Sequence, residues 1–350
     1  MRIAVWNTAF LGDAVLTLPL IRLLKAAWPE AGIDFYVRGG LAPLFEAQPE
    51  LARVYTCDKR GAGKGLAAIP AQGREIRARG YDLWVDAHLS LRSSFMAWKS
   101  RARDRVGYAE AALSRLVFTR RISRGFHDFQ EIERLFRLGE ALNLPRALLD
   151  DPALHWPELV LPARAHEEAA QLLAPLGGRR AIGLHPGSVW PTKRWTPEGF
   201  AHVLRRALEA GVGVVLLAGP GEEGTAREVR DLASAAGRDG FLDLSGKTSL
   251  LSLAAVIARL GGYVTNDSGP MHLAWAQRVP VTAIFGPTVR SLGFAPRGAD
   301  STVIEADTPC RPCGLHGHKA CPQGHFRCMK DIDPEAVWQD VRRKLEKRGN

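Results

Sequence analysis

Residues 2–25 read RIAVWNTAFLGDAVLTLPLIRLLK, and this stretch decides the fold class. A short run of β-forming residues is followed by a Gly-containing turn and then by apolar residues at helical spacing. The same order recurs in the second half, where AIGLH at 181–185 is followed by the turn PGS and a helix is predicted over 197–210. Each segment is typical of the opening unit of a parallel α/β domain.

Further strands are predicted at 33–37, 83–87, 212–218, 262–265 and 281–285, with helix-length segments between them. This alternation predicts two doubly wound sheets, because a single eight-unit barrel of roughly 250 residues would leave about 100 residues unexplained. Three prolines and few helix signals place the linker at 150–162. We therefore expect one domain at 1–158 and a second at 159–332, followed by a capped amphipathic helix in 333–350.

The 350 residues carry 47 Lys and Arg against 37 Asp and Glu, a net charge of +10. Their length suits two domains. A composition that is 46% hydrophobic and 24% charged excludes wholesale disorder. The positive charge favours an anionic partner, which leaves nucleic acid, an acidic membrane surface and a phosphorylated substrate as candidates.

No run approaches the roughly 20 apolar residues that a membrane span needs. The first residues lack the basic head, apolar core and cleavage site of a secretory signal. Five cysteines, an odd number, suit a reducing compartment better than a disulfide scaffold. We expect a cytoplasmic protein.

Asp13 follows Gly12 on the loop after the first predicted strand. Ligands of open α/β sheets gather at the carboxyl ends of the strands, so this carboxylate is a candidate functional group. An Asp at the start of a helix is also a common cap, and spacing alone favours the cap.

Three loops of the second half carry anion and hydroxyl binders after predicted strands. Gly187 and Ser188 precede Lys193, which can hold a phosphate as a point charge. The segment 265–272 reads TNDSGPMH and places a helix start at Pro270, where an anion can bind. Glu222 follows a Gly-rich turn and can accept from the hydroxyls of a ribose. A plain turn or a capped helix explains each loop singly, but the convergence of the loops favours a nucleotide site.

Two clusters remain open. Cys310, Cys313, Cys321 and Cys328 have thiolate spacings that a structural zinc site can use, but only one pair has the short two-residue spacing, so a metal-free loop is favoured. The stretch 92–124 holds nine Lys or Arg and two acids. It suits a phosphorylated acceptor or an anionic membrane as well as a solvated face. Few interleaved aromatic residues accompany these charges, which disfavours nucleic acid.

Together, residues 12–19, 185–188 with 193–195, 266–272 and 286–288 resemble the lipopolysaccharide heptosyltransferases, glycosyltransferase family 9. The order and spacing match over nearly the whole chain, and the tail CMKDI at 328–332 is similar to that of many members. The pattern TNDSGPMH is closest to the enzymes that add the second heptose.

This resemblance implies a GT-B fold, with two Rossmann-like domains facing a cleft and the last helix crossing back to the first domain. It implies a metal-independent, inverting transfer of L-glycero-D-manno-heptose from ADP-heptose to the lipid A-linked inner core, at the cytoplasmic face of the inner membrane. It makes Asp13 the base and gives the acceptor to the first domain, where the candidate contacts are Arg92, Arg120 and Arg121. It gives the donor to the second domain, through Gly187, Ser188, Lys193, Glu222, Thr248, Asp267, Ser268, Gly269 and His272.

The chemistry agrees with the residues, because a single displacement needs one base and stabilisation of the departing diphosphate. A family member that uses another core step or another sugar is the alternative within the class. A non-catalytic nucleotide-sugar or membrane-surface binding protein is the alternative outside it, if Asp13 is only a cap.

Overall fold

The computed structural model describes residues 1–57 and 68–347, which form two compact units, residues 1–160 and 161–350. The division between the units falls inside the predicted linker, two residues beyond the expected boundary. Each unit contains a six-stranded sheet in which all the strands are parallel. Two doubly wound α/β sheets were predicted and are confirmed, and the single barrel is excluded.

The first unit has the strands β1 (Arg2–Trp6), β2 (Gly32–Arg38), β3 (Leu51–Cys57), β4 (Leu83–Asp86), β5 (Asp104–Tyr108) and β6 (Arg120–Ile122). Its helices are α1 (Leu11–Leu16), α2 (Leu18–Ala27), α3 (Ala68–Ala78), α4 (Leu91–Ser100), α5 (Ser114–Val117), α6 (Glu131–Ala141) and α7 (Arg146–Leu149). The sheet order is β3-β2-β1-β4-β5-β6, so the chain reverses its direction of growth between β1 and β4. Ligands of doubly wound sheets bind at the carboxyl end of such a switch point.

Aromatic side chains cross the first sheet from strand to strand. Tyr55, Tyr36, Trp6 and Trp84 lie on β3, β2, β1 and β4, and their neighbouring ring centroids are 5.1, 5.3 and 5.6 Å apart. Aromatic pairs at this spacing add to the free energy gained from burial alone. The ends of β1 and β4 therefore rest on a packed aromatic layer.

The second unit repeats this plan. Its strands are β7 (Ala181–His185), β8 (Gly213–Leu216), β9 (Phe241–Asp243), β10 (Gly262–Asn266), β11 (Val281–Ile284) and β12 (Ser301–Ile304). Its helices are α8 (Ala163–Leu173), α9 (Pro197–Glu209), α10 (Glu223–Leu232), α11 (Leu250–Ala258), α12 (Gly269–Ala276), α13 (Arg327–Lys330) and α14 (Pro334–Lys347). The order β12-β11-β10-β7-β8-β9, read from the β9 edge, equals that of the first sheet, and its switch point lies between β7 and β10.

The terminal helix α14 packs on the second unit. Its buried residues Val337, Trp338, Val341 and Leu345 join the core formed by α9, β7, β8 and α10. Lys344 pairs with Asp340 at 2.6 Å and donates to the Val281 carbonyl of β11. We expected residues 333–350 to cross back to the N-terminal domain, but the apolar face of 334–347 is used by the second unit. The last three residues lie outside the described part.

Within residues 1–57 and 68–347, every helix is too short or too polar to traverse a lipid bilayer.

Candidate functional site

Asp13 lies in the first turn of α1, on the loop that follows β1. Its Oδ2 accepts a hydrogen bond from the Phe10 N–H at 3.1 Å. Phe10 is the N-cap residue of α1, so Asp13 supports the helix start from within the first turn and is not the N-cap that spacing alone favoured. Asn7, just beyond the end of β1, donates to the Asp13 carbonyl at 3.3 Å and to Thr17 Oγ1 at 2.9 Å. These bonds fix the position of the Asp13 backbone at the carboxyl end of the central strand.

The environment of Asp13 favours its protonated form. Burial raises the pKa of this carboxyl to about 6, and the negative charge of Glu131 adds to the rise. The Phe10 N–H and the Arg124 guanidinium oppose the rise without cancelling it. A carboxyl with a pKa near 6 can accept a proton at neutral pH and hold it better than an ordinary Asp.

Glu131 and Arg124 belong to an ion-pair network that the sequence analysis did not single out. Glu131 Oε2 accepts from Arg124 at 2.6 Å and from Arg134 at 3.0 Å, and Arg134 is fully buried. Charge-assisted bonds of this length hold the network rigidly. Arg124 was counted within the basic stretch, but nothing in the local pattern marks it or Glu131 as neighbours of Asp13.

Asp86 is a second carboxyl at the switch point of the first sheet. It ends β4 opposite Trp6 of β1 and is fully buried. Burial raises its pKa well above the usual range, although the His88 N–H donates to Oδ1 at 3.0 Å. Among the residues that the structure describes, Oδ2 has no hydrogen-bond partner. Sequence reasoning missed Asp86, whose only signal is an acid at the end of an apolar strand.

The predicted acceptor contacts lie in different places. Arg92 is half-buried on α4 and donates to Gln72 Oε1 at 3.0 Å. Arg120 begins β6 and pairs with Asp104, the first residue of β5, at 3.7 Å, while Arg121 is exposed. The charge of Arg124, just beyond β6, is the one that acts on Asp13. A role of Arg92, Arg120 and Arg121 in acceptor binding stays a prediction.

In the second unit, Lys193 and Asp267 form a buried ion pair. Their Nζ and Oδ2 atoms are 2.5 Å apart, and each side chain is only about a tenth exposed. Asp267 Oδ2 also accepts from Thr288 Oγ1 at 2.6 Å. The loops after β7, β10 and β11 therefore meet at one cation. A buried lysine held beside one carboxylate can stabilise additional negative charge from a ligand.

Asn266 ties the loop after β7 to the end of β10. Its side-chain amide donates to the Pro186 and Gly187 carbonyls at 2.9 and 3.2 Å, and its Oδ1 accepts from the Trp195 N–H at 2.9 Å. Arg194 Nε adds a bond to the Ser188 carbonyl at 2.8 Å. The segment that carries the predicted phosphate binders is thus held at both of its ends.

Glu222 is the end of a hydrogen-bonded chain of side chains. Its Oε2 lies 3.1 Å from His185 Nε2 and accepts from the Gly219 N–H at 3.0 Å, and His185 Nδ1 lies 3.0 Å from the Tyr263 hydroxyl. Burial opposes ionisation of Glu222, but the His185 bond, the Gly219 N–H and the charge of Arg194 outweigh it and lower its pKa.

The proton positions in this chain follow from the ionised state of Glu222. Burial raises the pKa of Tyr263 well above its usual value, so its hydroxyl keeps its proton and can donate to His185 Nδ1. Because an ionised carboxylate only accepts, the His185 Nε2–H donates to Glu222. The carboxylate also occupies the space above Gly187, where a Cβ would overlap it. A Cβ at position 187 would therefore displace the Glu222 carboxylate from its bonds to His185 and Gly219.

The helix α12 begins at the same edge of the sheet. Ser268 is its N-cap residue, Gly269 its first residue, and His272 lies on its first turn. Burial lowers the pKa of His272 to about 4, and the charge of Lys193 contributes, so the ring is neutral at pH 7. In the described part of the chain its Nδ1 has no hydrogen-bond partner. The start of α12 can bind an anion, and Nδ1 of His272 can form a hydrogen bond with a polar group of a ligand.

Two other predicted positions differ in their surroundings. Ser188 is buried on the loop after β7, and its role in binding phosphate stays a prediction. Thr248 is half-buried on the loop after β9, two strands from β7, and none of the hydrogen bonds described above includes it.

The cysteine segment, residues 308–328, covers the Lys193 loop. The Thr192 hydroxyl accepts from the His318 N–H at 2.7 Å, His316 stacks on Trp190 with ring centroids 6.0 Å apart, and Arg311 donates to the Thr288 carbonyl at 2.8 Å. Sequence reasoning missed that this segment forms a wall of the Lys193 site. The contacts of Thr192 with His318 and of Trp190 with His316 each join residues 126 positions apart, which no local pattern reports.

The cysteines of this segment are free thiols. Burial raises the pKa of Cys328 to about 11, and the neighbouring thiols of Cys313, Cys321 and Cys310 contribute. Within residues 1–57 and 68–347, no three His, Cys, Asp or Glu side chains are arranged so as to hold a metal ion. Metal independence and the alternative of a structural zinc both stay predictions.

Solved structures show which class of enzyme this architecture defines. The glycosyl transferase family 9 structure from Veillonella parvula superposes with a TM-score of 0.86 at 25% identity, covering 99% of this chain and 97% of that one. The structure of E. coli ADP-heptose lps heptosyltransferase II gives a TM-score of 0.82 at 23% identity, with full coverage of both chains. The fold is therefore the GT-B fold of glycosyltransferases.

Sequence comparison gives the family. The model of glycosyltransferase family 9 (heptosyltransferase) matches residues 69–323, and the chain belongs to this family. Lipooligosaccharide heptosyltransferase 2 of Haemophilus influenzae is 28% identical, covering 99% of this chain and all of the relative. Lipopolysaccharide heptosyltransferase 1 of Pseudomonas aeruginosa is 31% identical, covering 89% of this chain and 86% of the relative. The protein is a glycosyltransferase, as the motifs predicted.

Proposed function

We propose that this enzyme transfers L-glycero-D-manno-heptose from ADP-heptose to the inner core of lipopolysaccharide, with inversion and without a metal ion, and that it adds the second heptose. Relatives that match over the full length and are named heptosyltransferase 2 support the choice of step. The observation that carries the chemistry is Asp13, a carboxyl with a pKa near 6 at the switch point of the first sheet.

In this proposal the first unit receives the acceptor. Asp13 takes the proton of the attacking hydroxyl, and the raised pKa makes it a stronger base than an exposed Asp. Arg124 and the basic residues Arg92, Arg120 and Arg121 of the same unit attract the phosphorylated lipid acceptor. We also propose that the enzyme works at the cytoplasmic face of the inner membrane as a peripheral protein, and that nucleic acid is not a partner.

The second unit binds the nucleotide sugar. Lys193 and the start of α12, at Ser268 and Gly269, stabilise the diphosphate as it departs. Glu222 accepts from the ribose hydroxyls, and Gly187 and Ser188 line the phosphates. His272, in its neutral form, and the Asp267 carboxylate contact the sugar and diphosphate. Thr248 lies toward the adenine.

The decisive experiment is a mass-spectrometric assay with ADP-heptose and three truncated acceptors that carry no, one or two heptoses. We expect one heptose to be added to the acceptor that already carries one. Addition to the heptose-free acceptor would support the first-step alternative, which the 31% identity to a heptosyltransferase 1 keeps open. No addition to any acceptor, with donor still bound, would support a non-catalytic binding protein.

A further inference from the structure

Four large apolar side chains of the first unit are exposed to solvent close to one another. Leu91 and Trp98 on α4 are 62% and 39% exposed, and Leu113 and Leu116, at the start of α5 and within it, are 54% and 79% exposed. We call these four residues the apolar face. Single exposed leucines are ordinary, but a group on neighbouring elements marks an interaction surface.

The apolar face lies on two helices that pack together. Leu91 and Trp98 are seven residues apart and so lie on the same side of α4. Phe95 lies between them, with its ring centroid 5.7 Å from that of Trp98. Helix α5 packs against α4, so all four residues lie on neighbouring elements of the first unit.

Leu113 is unfavourable in two respects. Its φ is +58°, in the left-handed region that a leucine rarely adopts, and its side chain is more than half exposed. The backbone conformation alone costs about 1–2 kcal/mol for a residue with a Cβ. Such strain is characteristic of functional segments, so this turn has a second feature that stability does not explain.

Cations surround the apolar face. Lys99 Nζ lies 4.7 Å and Arg101 Cζ 5.2 Å from the Trp98 ring, and Arg103 and Arg115 are exposed nearby. The acid Asp104 is already paired with Arg103 at 3.4 Å and with Arg120 at 3.7 Å. The face therefore presents leucines and a tryptophan inside a rim of positive charge.

We infer that the apolar face binds the surface of an anionic lipid bilayer. Tryptophan and leucine enter the boundary between headgroups and acyl chains, while lysine and arginine pair with acidic headgroups. The stretch 92–124 holds nine Lys or Arg against two acids, Asp104 and Glu110, and this excess of positive charge favours an acidic lipid surface over a protein partner of mixed charge. The inference deepens the proposed function, because it names the surface by which the first unit reaches a lipid-linked acceptor.

The inference is tested by sedimentation with vesicles of phosphatidylethanolamine and phosphatidylglycerol, and with vesicles of phosphatidylcholine alone. We expect binding to the anionic vesicles that weakens with added salt and is weak on the neutral ones. The variant Leu113→Ser/Leu116→Ser should bind the anionic vesicles at least tenfold less tightly, since it removes the most exposed apolar groups. The matched control is Leu232→Ser, because Leu232 is 44% exposed on α10 of the second unit.

Equal vesicle binding by the double variant, with its unfolding temperature unchanged, would overturn the inference. A concentration-dependent doubling of mass that the double variant abolishes, without vesicle binding by the wild type, would assign the face to a second copy of the chain instead. Turnover on a lipid-free truncated acceptor separates this inference from the proposed function. The double variant should keep that turnover and lose only the turnover on acceptor embedded in vesicles.

Discussion

The two sheets have the same strand order, yet different kinds of side chain lie at their switch points. In the first unit, the loop after β1 and the end of β4 carry Asp13 and Asp86, two carboxyls whose pKa values are raised by burial. In the second unit, the loop after β7 carries the cation Lys193, which is paired with Asp267. The end of β10 carries the amide of Asn266, which is hydrogen-bonded to the neighbouring backbone. The two units share one strand order, so the difference in their chemistry comes from the side chains.

The difference assigns a different task to each sheet. A carboxyl that burial destabilises in its charged form gains from taking a proton, which suits the acceptor side of a displacement. A lysine held in place by Asp267 and a neutral histidine at a helix start can meet an arriving diphosphate without rearrangement. At the first switch point Asp13 changes its charge when it takes a proton. At the second, Lys193 and His272 keep their charge states when the diphosphate binds.

The largest effect is expected at Asp13. The variant Asp13→Asn keeps the shape and the cap but cannot accept a proton, so turnover should fall by about 10²- to 10⁴-fold while ADP-heptose still binds. In the wild type, kcat/KM should rise with pH up to about 6 and then level, because the carboxyl is protonated below that value. Steady-state kinetics from pH 5 to 8 measure both quantities.

Folding of the same variant provides the control. The folded pKa of Asp13 is raised, so its stabilising contribution is complete below the unfolded value of 3.8 and is lost as pH rises through about 6. At pH 7.5 Asp13→Asn should therefore unfold at a temperature no lower than that of the wild type. Near-normal turnover in a well-folded variant would remove Asp13 from the role of base.

Lys193→Ala tests the second switch point. Loss of a cation that stabilises the leaving group should remove about 2–4 kcal/mol of transition-state stabilisation, seen as a lower kcat/KM, and should weaken donor binding. The change also leaves Asp267 buried with only Thr288 as a partner among the contacts described, and breaking a buried pair costs about 3–5 kcal/mol of stability. Calorimetric titration with ADP and thermal unfolding separate the two effects.

The double variant Lys193→Ala/Asp267→Asn discriminates between them. Removing both charges should recover much of the unfolding temperature, because no buried carboxylate is left unpaired. It should not recover turnover. If Lys193→Ala keeps both its activity and its affinity for ADP, the lysine is structural and the comparison between the two sheets fails.

The sequence predicted the central strands well and the outer strands poorly. β1, β7 and β10 are buried apolar runs that end in Gly- or Asn-containing loops, which local patterns report directly. β3 is largely exposed, and β6 and β9 have only three residues each, so they lack a long apolar run. Helix α14 was predicted as an amphipathic helix, but its pattern does not say which unit its apolar face covers.

The same limit applies to the sites. Asp13, Lys193, Asp267 and His272 lie on loops whose Gly, Pro and Asp spacing is legible in the sequence. Glu131 acts on Asp13 from 118 positions away, and the cysteine segment reaches the Lys193 loop from a similar distance. Charges that set a pKa come from tertiary packing, so the base could be predicted while its pKa could not.

Tyr263→Phe tests the hydrogen-bonded chain that holds Glu222. Removing one hydroxyl leaves His185 Nδ1 without its partner at 3.0 Å, so Glu222 is less well fixed toward the ribose. The KM for ADP-heptose should rise about 5-fold, corresponding to about 1 kcal/mol, with kcat little changed. The effect should vanish with a donor that lacks the ribose 2′-hydroxyl, if that hydroxyl binds Glu222.

Tyr81→Phe is the matched control for this change. It removes an equally buried phenol hydroxyl, one that donates to Asp34 Oδ2 at 2.7 Å in the first unit. It should lower the unfolding temperature without altering KM. A KM that rises equally in both variants would show that Tyr263 acts only through stability.

The smallest effect is expected at Asp86. Burial raises the pKa of this carboxyl well above its usual range, which favours the protonated form. An amide has nearly the same shape and can still accept from the His88 N–H, so Asp86→Asn should change the free energy of unfolding by less than about 1 kcal/mol at pH 7. The wild type should lose stability as pH rises toward the raised pKa, and the variant should not. Urea unfolding at pH 6 and pH 9 measures the difference, and an equal pH dependence in both proteins would show that Asp86 is already ionised and that the two switch points differ less in charge than the structure indicates.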